Sequence, residues 1–358
     1  MDNSYFLFAD KSTPIIVHRF HLCTWEFKND TALIEFGCEI NVSNCGGCDE
    51  ITLELFVPWL TDKCIAKDLY DSLKDSANSK FIFNDSIKRV IPLDDGQNLN
   101  GVIHEFTSRN ILCILPVSIT MLLEKKILKI KLDLSHYNLK AGEDYPHIYF
   151  RFYLEPLITS ISTRKTGISK STIIYDIKIN EKRNLPEHLY ADLHSKDICK
   201  ILACFCLNVV PNSYELTFLD SVSLKNVRTL EYDSFNRYLR DKRVEKDELL
   251  VVFNKKEAKV NDNKPSYTFF SIFYKERIGA GQFALALMIN LICGILLFFP
   301  SFRTQNNLSW SNGILTKLPI ELYIAVGIDI LLVLFFIWPS IRMILKSVTA
   351  KINKPKMN

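Results

Sequence analysis

Residues 283–302 read FALALMINLICGILLFFPSF, and residues 318–341 read LPIELYIAVGIDILLVLFFIWPSI. The first run carries no charged residue, and the second carries only Glu321 and Asp329. A helix needs roughly 20 apolar residues to cross the ~30 Å hydrocarbon core of a bilayer, and only helices or closed barrels satisfy the backbone there. The sequence therefore predicts a C-terminal transmembrane hairpin with helices at 283–302 and 318–341, an extracytoplasmic loop at 303–317 and a basic cytoplasmic tail at 342–358.

The charges that flank the predicted hairpin indicate its orientation. The tail carries five lysines and arginines and no acid, and Lys275 and Arg277 precede the first run. Only Arg303 and Lys317 lie on the loop side. Positive charge concentrates on the cytoplasmic side of membrane proteins. We therefore expect a multi-pass protein of the inner (plasma) membrane with both termini in the cytoplasm.

Both apolar runs carry a stripe of small and polar residues at helical spacing. Small residues let helices approach closely, and polar ones can bond across the contact. A carboxylate inside a bilayer is costly unless it is neutral, paired or hydrated. Two interpretations stay open: a homo-oligomer or pore in the membrane, and a passive anchor. The candidate packing or pore residues are Ala286, Asn290 and Gly294 in the first run, with Glu321, Ala325 and Asp329 in the second.

The residues before the hairpin alternate between apolar and polar side chains over many short stretches, such as ILKIKLDL at 127–134 and HIYFRFYL at 147–154. This period of two is typical of half-buried strands. The predicted fold class is α+β, mainly β, with an antiparallel β-sandwich-like cytosolic region. We expect a β-rich cytosolic domain at 1–184 and an α+β cytosolic region at 185–277, which could equally belong to the same domain.

Three stretches of this cytosolic region are predicted to be helical, and residues 80–84 are predicted to be a strand. Apolar residues at i, i+4 and i+8 indicate a helix over 61–76. A proline in the first turn favours a helix over 186–199, and an apolar face favours another over 232–246.

The sequence predicts neither an enzyme nor a cofactor or metal site. The common nucleophile, metalloprotease, phosphate-loop and dinucleotide motifs are absent. Cys45 and Cys48 form a CxxC pair, but a zinc site usually needs a second such pair. A glycine turn between two strands is favoured over a zinc or redox site at this pair.

Charge excludes a generally nucleic-acid-binding body but leaves two local basic stretches. The whole chain carries +4, the tail contributes +5, and the charges at Arg303 and Lys317 cancel those of Glu321 and Asp329, so residues 1–282 carry −1. A charge run is most often a solvated face, and phosphate contact is the alternative. The candidate nucleic-acid or phosphate contacts are Arg164, Lys165 and Lys170, and Arg237, Arg240 and Arg243.

The layout of a β-rich body with a C-terminal two-helix hairpin resembles bacterial antiphage membrane effectors, such as those encoded beside retron reverse transcriptases and those activated by cyclic nucleotides. The composition, rich in Lys, Ile and Asn, is similar to that of AT-rich mobile defence islands. The resemblance implies an abortive-infection effector that perturbs the inner membrane when released. Its implied partners are the lipid bilayer, further copies of itself and a protein or nucleoprotein inhibitor such as a reverse transcriptase–nucleic acid complex. The alternative is a passive membrane-anchored adaptor or scaffold.

Overall fold

The computed structural model describes residues 3–27, 31–43, 48–93, 100–140, 146–157, 161–167, 170–219, 223–229, 232–244, 249–258, 265–276, 280–305, 323–332 and 334. The chain divides into two compact units. The first unit comprises residues 1–165 and 172–275, and the second comprises 166–171 and 276–358.

Strands dominate the first unit, in accordance with the alternation of its sequence. They are β1 (Asn3–Asp10), β2 (Ile16–Glu26), β3 (Ala32–Asn41), β4 (Glu50–Phe56), β5 (Ile65–Asp68), β6 (Ile87–Pro92), β7 (Val102–Phe106), β8 (Leu112–Ile114), β9 (Ser118–Leu122), β10 (Ile127–Asp133), β11 (His147–Glu155), β12 (Thr163–Thr166), β13 (Lys170–Ile179), β14 (Lys196–Ile198), β15 (Lys200–Pro211), β16 (Glu215–Leu219), β17 (Leu224–Thr229), β18 (Leu249–Glu257) and β19 (Tyr267–Glu276). The helices are α1 (Tyr70–Leu73), α2 (Ser76–Phe83), α3 (Ser135–Lys140), α4 (Tyr232–Leu239) and α5 (Ala280–Gln305).

The strands form two mixed sheets. Sheet I has the order β16-β19-β13-β1-β4-β10-β9, with β12 beside β13 and β14 beside β1. Sheet II has the order β17-β18-β15-β2-β3-β11-β8-β7-β6, with β5 beside β11. The prediction of a mainly β body is confirmed. The prediction of an antiparallel sandwich is wrong, because β1 pairs with β13, β2 with β15, and β8 with β11 in parallel.

The parallel pairs join strands that are far apart in the sequence. Strand β2 ends at Glu26 and its parallel neighbour β15 begins at Lys200. Parallel neighbours need a crossover connection rather than a tight turn. The chain between residues 26 and 200 provides this connection from β2 to β15. Strands from both sides of residue 184 consequently pair within each sheet, as β1 with β14 and β2 with β15 show.

The main core lies between the two sheets and consists of the side chains that each sheet turns inward. Tyr5 of sheet I meets Phe36 of sheet II edge to face, with ring centroids 5.4 Å apart. The Tyr267 hydroxyl donates to the Ile201 carbonyl across the sheets at 2.7 Å. Burying each large apolar side chain contributes about 1.5–3 kcal/mol, so this layer supplies most of the stability of the unit.

Helices cover the outer face of sheet II and form a second core there. Helix α2 begins where the Asp75 carboxylate accepts from the Ala77 amide at 2.7 Å, which caps the helix. It ends at Asn84, which adopts the left-handed conformation with φ of 51°, a conformation that asparagine tolerates. Arg237 on α4 donates from Nε to Asn78 Oδ1 on α2 at 3.1 Å and so ties the two helices together.

The predicted helices and one predicted strand differ from the structure. Residues 61–76 hold β5 and α1 rather than one helix, because Asp68 accepts from the Tyr70 and Val117 amides and fixes a turn there. Residues 80–84, predicted to be a strand, belong largely to the Asp75-capped helix α2. Residues 187–194 form 3-10 turns, and the helix predicted over 232–246 ends at Leu239.

The predicted transmembrane hairpin is a further correction. Helix α5 covers Ala280–Gln305, and the second apolar run is helical over 323–332 among the described residues. Within the described residues, no helix combines the length and the apolar character that a membrane crossing requires. The predicted hairpin, and with it the multi-pass inner-membrane location, is therefore wrong for this part of the chain.

Candidate anion-binding cleft

A cleft of about 380 Å³ opens on the outer face of sheet II. Its floor is formed by strands β2, β15 and β18, and its walls by the end of α2, by α4 and by β17. We call it the basic cleft. Its lining residues are Arg19, His21, Cys23, Trp25, Phe81, Ile82, Phe83, Asn84, Arg109, Arg151, Phe205, Leu207, Lys225, Asn226, Arg228, Phe235, Tyr238, Val251 and Phe253.

A bulge in β2 directs the side chain of Arg19 into the cleft. Val17 is buried in the core between the sheets, and strict alternation would turn Arg19 the same way. The register of β2 against β3 shifts between Val17 and Arg19, so the strand changes face at His18. Bulges re-aim side chains in this way and often lie beside functional sites. From Arg19 onward the odd-numbered residues face the cleft.

Positive charge dominates the lining of the cleft. It contains Arg19, Arg109, Arg151, Lys225 and Arg228, and no carboxylate occurs among the described lining residues. Two buried glutamates of β3 pair with three of the arginines, as described below. Arg19, Arg109 and Arg151 thus carry one positive charge more than Glu35 and Glu39. A concave site with low-dielectric walls and one sign of charge concentrates the opposite ion, so the cleft favours an anion.

Glu35 holds Arg151 at the base of the cleft. The Arg151 guanidinium lies 2.5 Å from Glu35 Oε2, and the side chains are 5 % and 0 % exposed. Trp25 Nε1 and the Tyr238 hydroxyl also donate to this carboxylate, at 2.7 and 2.9 Å. Burial opposes the charge on Arg151, but Glu35 together with Tyr238, Tyr149 and Cys23 outweighs it and raises the pKa of the guanidinium above its usual range. Arg151 is therefore a fixed, fully charged group.

Glu39 forms a second cluster beside the first. Its Oε2 accepts from Arg109 at 3.1 Å and lies 3.5 Å from Arg19 Nε, while its Oε1 lies 2.9 Å from His147 Nδ1. Burial favours protonation of Glu39, but the hydrogen bond from His147 and the two arginines lower its pKa. Arg109 also stacks on Phe83, 4.7 Å from the ring centroid. The two arginines are thus held by the protein before any ligand arrives.

Two buried donors at the cleft lack an acceptor. The Nε atoms of Arg109 and Arg151 are buried and make no hydrogen bond within the described part of the chain. A buried donor without an acceptor costs about 1–3 kcal/mol. Guanidinium groups are suited to carboxylate and phosphate oxygens because their N–H groups form a planar fork. The arginines that line the cleft are therefore suited to an anionic oxygen.

The rest of the cleft is aromatic. Phe205 and Phe253 are half-buried and nearly parallel, with ring centroids 5.9 Å apart and planes at 11°. The ring of His21 lies 4.8 Å from that of Phe205. Burial and the nearby arginines lower the pKa of His21 well below its usual value, so this ring is neutral. A flat, uncharged surface beside cations accommodates an aromatic ring that carries an anionic group.

The basic residues predicted from sequence are placed elsewhere. Arg164 pairs with the buried Glu26, and Arg243 binds Glu155 and Asp241 while lying over Phe27. Both arginines therefore form ion pairs within the fold. Lys165, Lys170 and Arg240 are exposed, and Arg237 bonds to Asn78. None of the six lines the basic cleft, and their phosphate contacts stay a prediction.

The stripe residues of the two apolar runs are only partly described. Ala286, Asn290 and Gly294 are exposed in α5, and a Cβ built at Gly294 meets no atom within 4 Å. Ala325 and Asp329 are half-buried, and Asp329 Oδ1 has no hydrogen-bond partner among the described residues. Glu321 lies outside the described residues. A packing role for these residues stays a prediction.

Cys45 of the CxxC pair also lies outside the described residues. Elsewhere, the described side chains contain no group of three or more histidines, cysteines or acids that could hold a metal ion.

No protein-family model matches the chain, and no curated protein sequence matches it. The fold and the cleft therefore define the class of protein by themselves: a mainly β body with a basic, aromatic-lined cleft on one sheet.

Sequence reasoning missed the cleft because its cations come from four separate segments. The clearest signal was available in HIYFRFYL, where Arg151 interrupts an otherwise apolar strand. A charge at a buried strand position requires a partner, and that requirement points to a buried network.

Proposed function

We propose that the β-rich body is a binding module for a small phosphate-bearing ligand with an aromatic ring, of the nucleotide class. The observation that carries this proposal is that the guanidinium-bearing residues Arg19, Arg109 and Arg151 line one cleft together with the rings of Phe205 and Phe253. The proposal places a ligand oxygen against these guanidinium groups.

Three features support a nucleotide rather than a simple anion. The cleft volume of about 380 Å³ lies in the range of small-molecule sites, roughly 300–1,000 Å³. The half-buried rings of Phe205 and Phe253 offer a surface on which a base can stack. Arg19, Arg109 and Arg151 carry one positive charge more than Glu35 and Glu39, so the cleft favours a ligand that contributes negative charge.

A binding role is consistent with a protein that senses a signal. The expected resemblance to antiphage effectors depended on the predicted hairpin, so the sensing role is proposed from the cleft alone. We retain the sensing role and the non-enzymatic character as proposals. An adaptor or scaffold, the alternative from sequence, would not require a cleft with unpaired cationic donors.

The test is calorimetric titration of the full chain with matched ligands. Adenosine 5′-monophosphate supplies both the phosphate and the ring, ribose 5-phosphate lacks the ring, and adenosine lacks the phosphate. We expect the monophosphate to bind at least about tenfold more tightly than either part, because a charge-assisted hydrogen bond contributes about 1.5–3 kcal/mol. The other common nucleoside monophosphates would establish the preference for the base.

A substitution in the cleft tests whether the ligand binds at the basic cleft. Arg109→Gln should weaken adenosine monophosphate binding by about 10- to 100-fold, since one charged donor is lost. The matched control is Arg183→Gln, because Arg183 is 83 % exposed and pairs only with its neighbour Glu181 among the described residues. Equal affinities of the two folded variants, or no binding of any phosphate ligand to the native chain, would contradict the proposal.

A further inference from the structure

Beside the basic cleft, two histidines lie close to Glu39, the carboxylate that holds Arg19 and Arg109. His147 on β11 lies 2.9 Å from Glu39 Oε1, and the ring of His18 lies 4.2 Å from that of His147. Glu39 uses its other oxygen for Arg109 and Arg19. One carboxylate, only 4 % exposed, therefore connects the anion-binding arginines to an imidazole pair.

We infer that the basic cleft takes up a proton when it binds its anion, and that the His18–His147 pair holds this proton beside Glu39. This inference rests on the proposed function and adds to it a dependence of ligand affinity on pH.

The charge balance of the cluster supports the inference. The groups that face the two imidazoles are Arg19 on β2, Glu39 on β3 and Arg109 before β8, and the neighbour of His147 on β8 is the apolar Leu112. With both imidazoles neutral, two arginines and one carboxylate leave a charge of +1, which opposes a further proton. An anion bound by Arg109 cancels that charge and removes the opposition.

The hydrogen bonds of Glu39 act in the same direction. Glu39 Oε2 is shared by the guanidinium groups of Arg109 and Arg19, while Oε1 lies against His147. When Arg109 turns some of its donors to a ligand, the carboxylate interacts more strongly with the imidazole at Oε1. An imidazolium beside an anionic carboxylate is the favoured partner in that state.

The state of His18 without ligand agrees with this picture. Burial lowers the pKa of His18, and His147 and Arg19 lower it further, while Glu39 acts in the opposite direction. Burial, aided by His147 and Arg19, therefore keeps the His18 imidazole neutral, and a bound anion offsets the cationic part of this opposition.

The expected effect is measurable as proton uptake. An anion bound at the neighbouring arginine, in a partly buried site, changes a titration midpoint on the order of one pH unit. Such a change corresponds to about half a proton taken up per ligand at the centre of the transition. Histidine is the side chain that titrates in this range.

The experiment is titration of the full chain with adenosine 5′-monophosphate at pH 6.0, 6.5, 7.0 and 7.5, each in two buffers of different ionisation enthalpy. The native chain is compared with a His18→Gln/His147→Gln variant, in which Gln can still donate to Glu39. The ligand phosphate itself titrates near pH 6, but this contribution is common to both proteins and cancels in the difference.

We expect the native chain to take up about half a proton more per ligand than the variant at one or more of these pH values. Equal proton uptake by the two proteins, with heat of binding in both, would overturn the inference and leave the proposed function standing. Absence of binding heat in the native chain would overturn both. Loss of binding by the variant alone at all four pH values would show a structural role for the histidines and would also overturn the inference.

Discussion

Glu35→Gln is expected to lower the free energy of unfolding of the β-rich body by about 3–5 kcal/mol, because it leaves a buried charge without its partner. Arg151 is 5 % exposed and its guanidinium lies 2.5 Å from the Glu35 carboxylate. A neutral amide cannot balance the guanidinium, which then remains charged and desolvated at the base of the cleft. Urea denaturation followed by far-ultraviolet circular dichroism measures the change.

A double substitution removes both members of the ion pair. It therefore shows how much of the destabilisation in Glu35→Gln comes from leaving the Arg151 charge buried without a partner. Replacing a buried pair by apolar residues of similar volume is often close to neutral. Glu35→Leu/Arg151→Met should therefore be less destabilised than the sum of its single variants. The Trp25 and Tyr238 donors lose their acceptor in this variant, so some destabilisation persists. A loss below about 1 kcal/mol in Glu35→Gln would mean that Arg151 does not depend on this carboxylate.

Phe36→Ala is expected to destabilise the body by about 3–5 kcal/mol, the range for removal of a buried aromatic ring. Phe36 is fully buried between the sheets. Its ring lies 5.4 Å from Tyr5 on sheet I and 5.6 Å from Phe152 on sheet II. The substitution leaves a cavity where the two sheets meet, and equilibrium denaturation with an unchanged m-value would report it.

The control for Phe36→Ala is Phe218→Ala, which removes the same atoms from a ring that is 51 % exposed. Phe218→Ala should lower the free energy of unfolding by less than about 1 kcal/mol, because little apolar surface is removed from the interior. Similar losses in the two variants would contradict the description of two sheets packed on a common core.

The strands were the part of the fold that the sequence predicted best. Alternation over ILKIKLDL and HIYFRFYL identified β10 and β11, because one face of each strand is more buried than the other. The pairing of the strands was not predictable in this way. Parallel neighbours such as β2 and β15 are more than 170 residues apart, and alternation carries no information about partners.

Local signals failed where short polar contacts decide the structure. The helical spacing over 61–76 was overridden by Asp68, whose carboxylate fixes the backbone at Tyr70 and Val117. The cleft depended on a bulge at His18 that turns Arg19 outward, a change that strict alternation cannot anticipate. Its cations also belong to separate segments, so no local run of charge marked the site.

Hydrogen–deuterium exchange with and without saturating adenosine 5′-monophosphate tests most directly whether the basic cleft is the ligand site. We expect slower exchange at the backbone amides of residues 81–84 and 225–228, which line the cleft from α2 and β17. Residues 127–131 of β10 lie in sheet I and serve as the internal reference, whose exchange should not change. Protection confined to sheet I, or no protection of the cleft segments at saturation, would contradict the assignment.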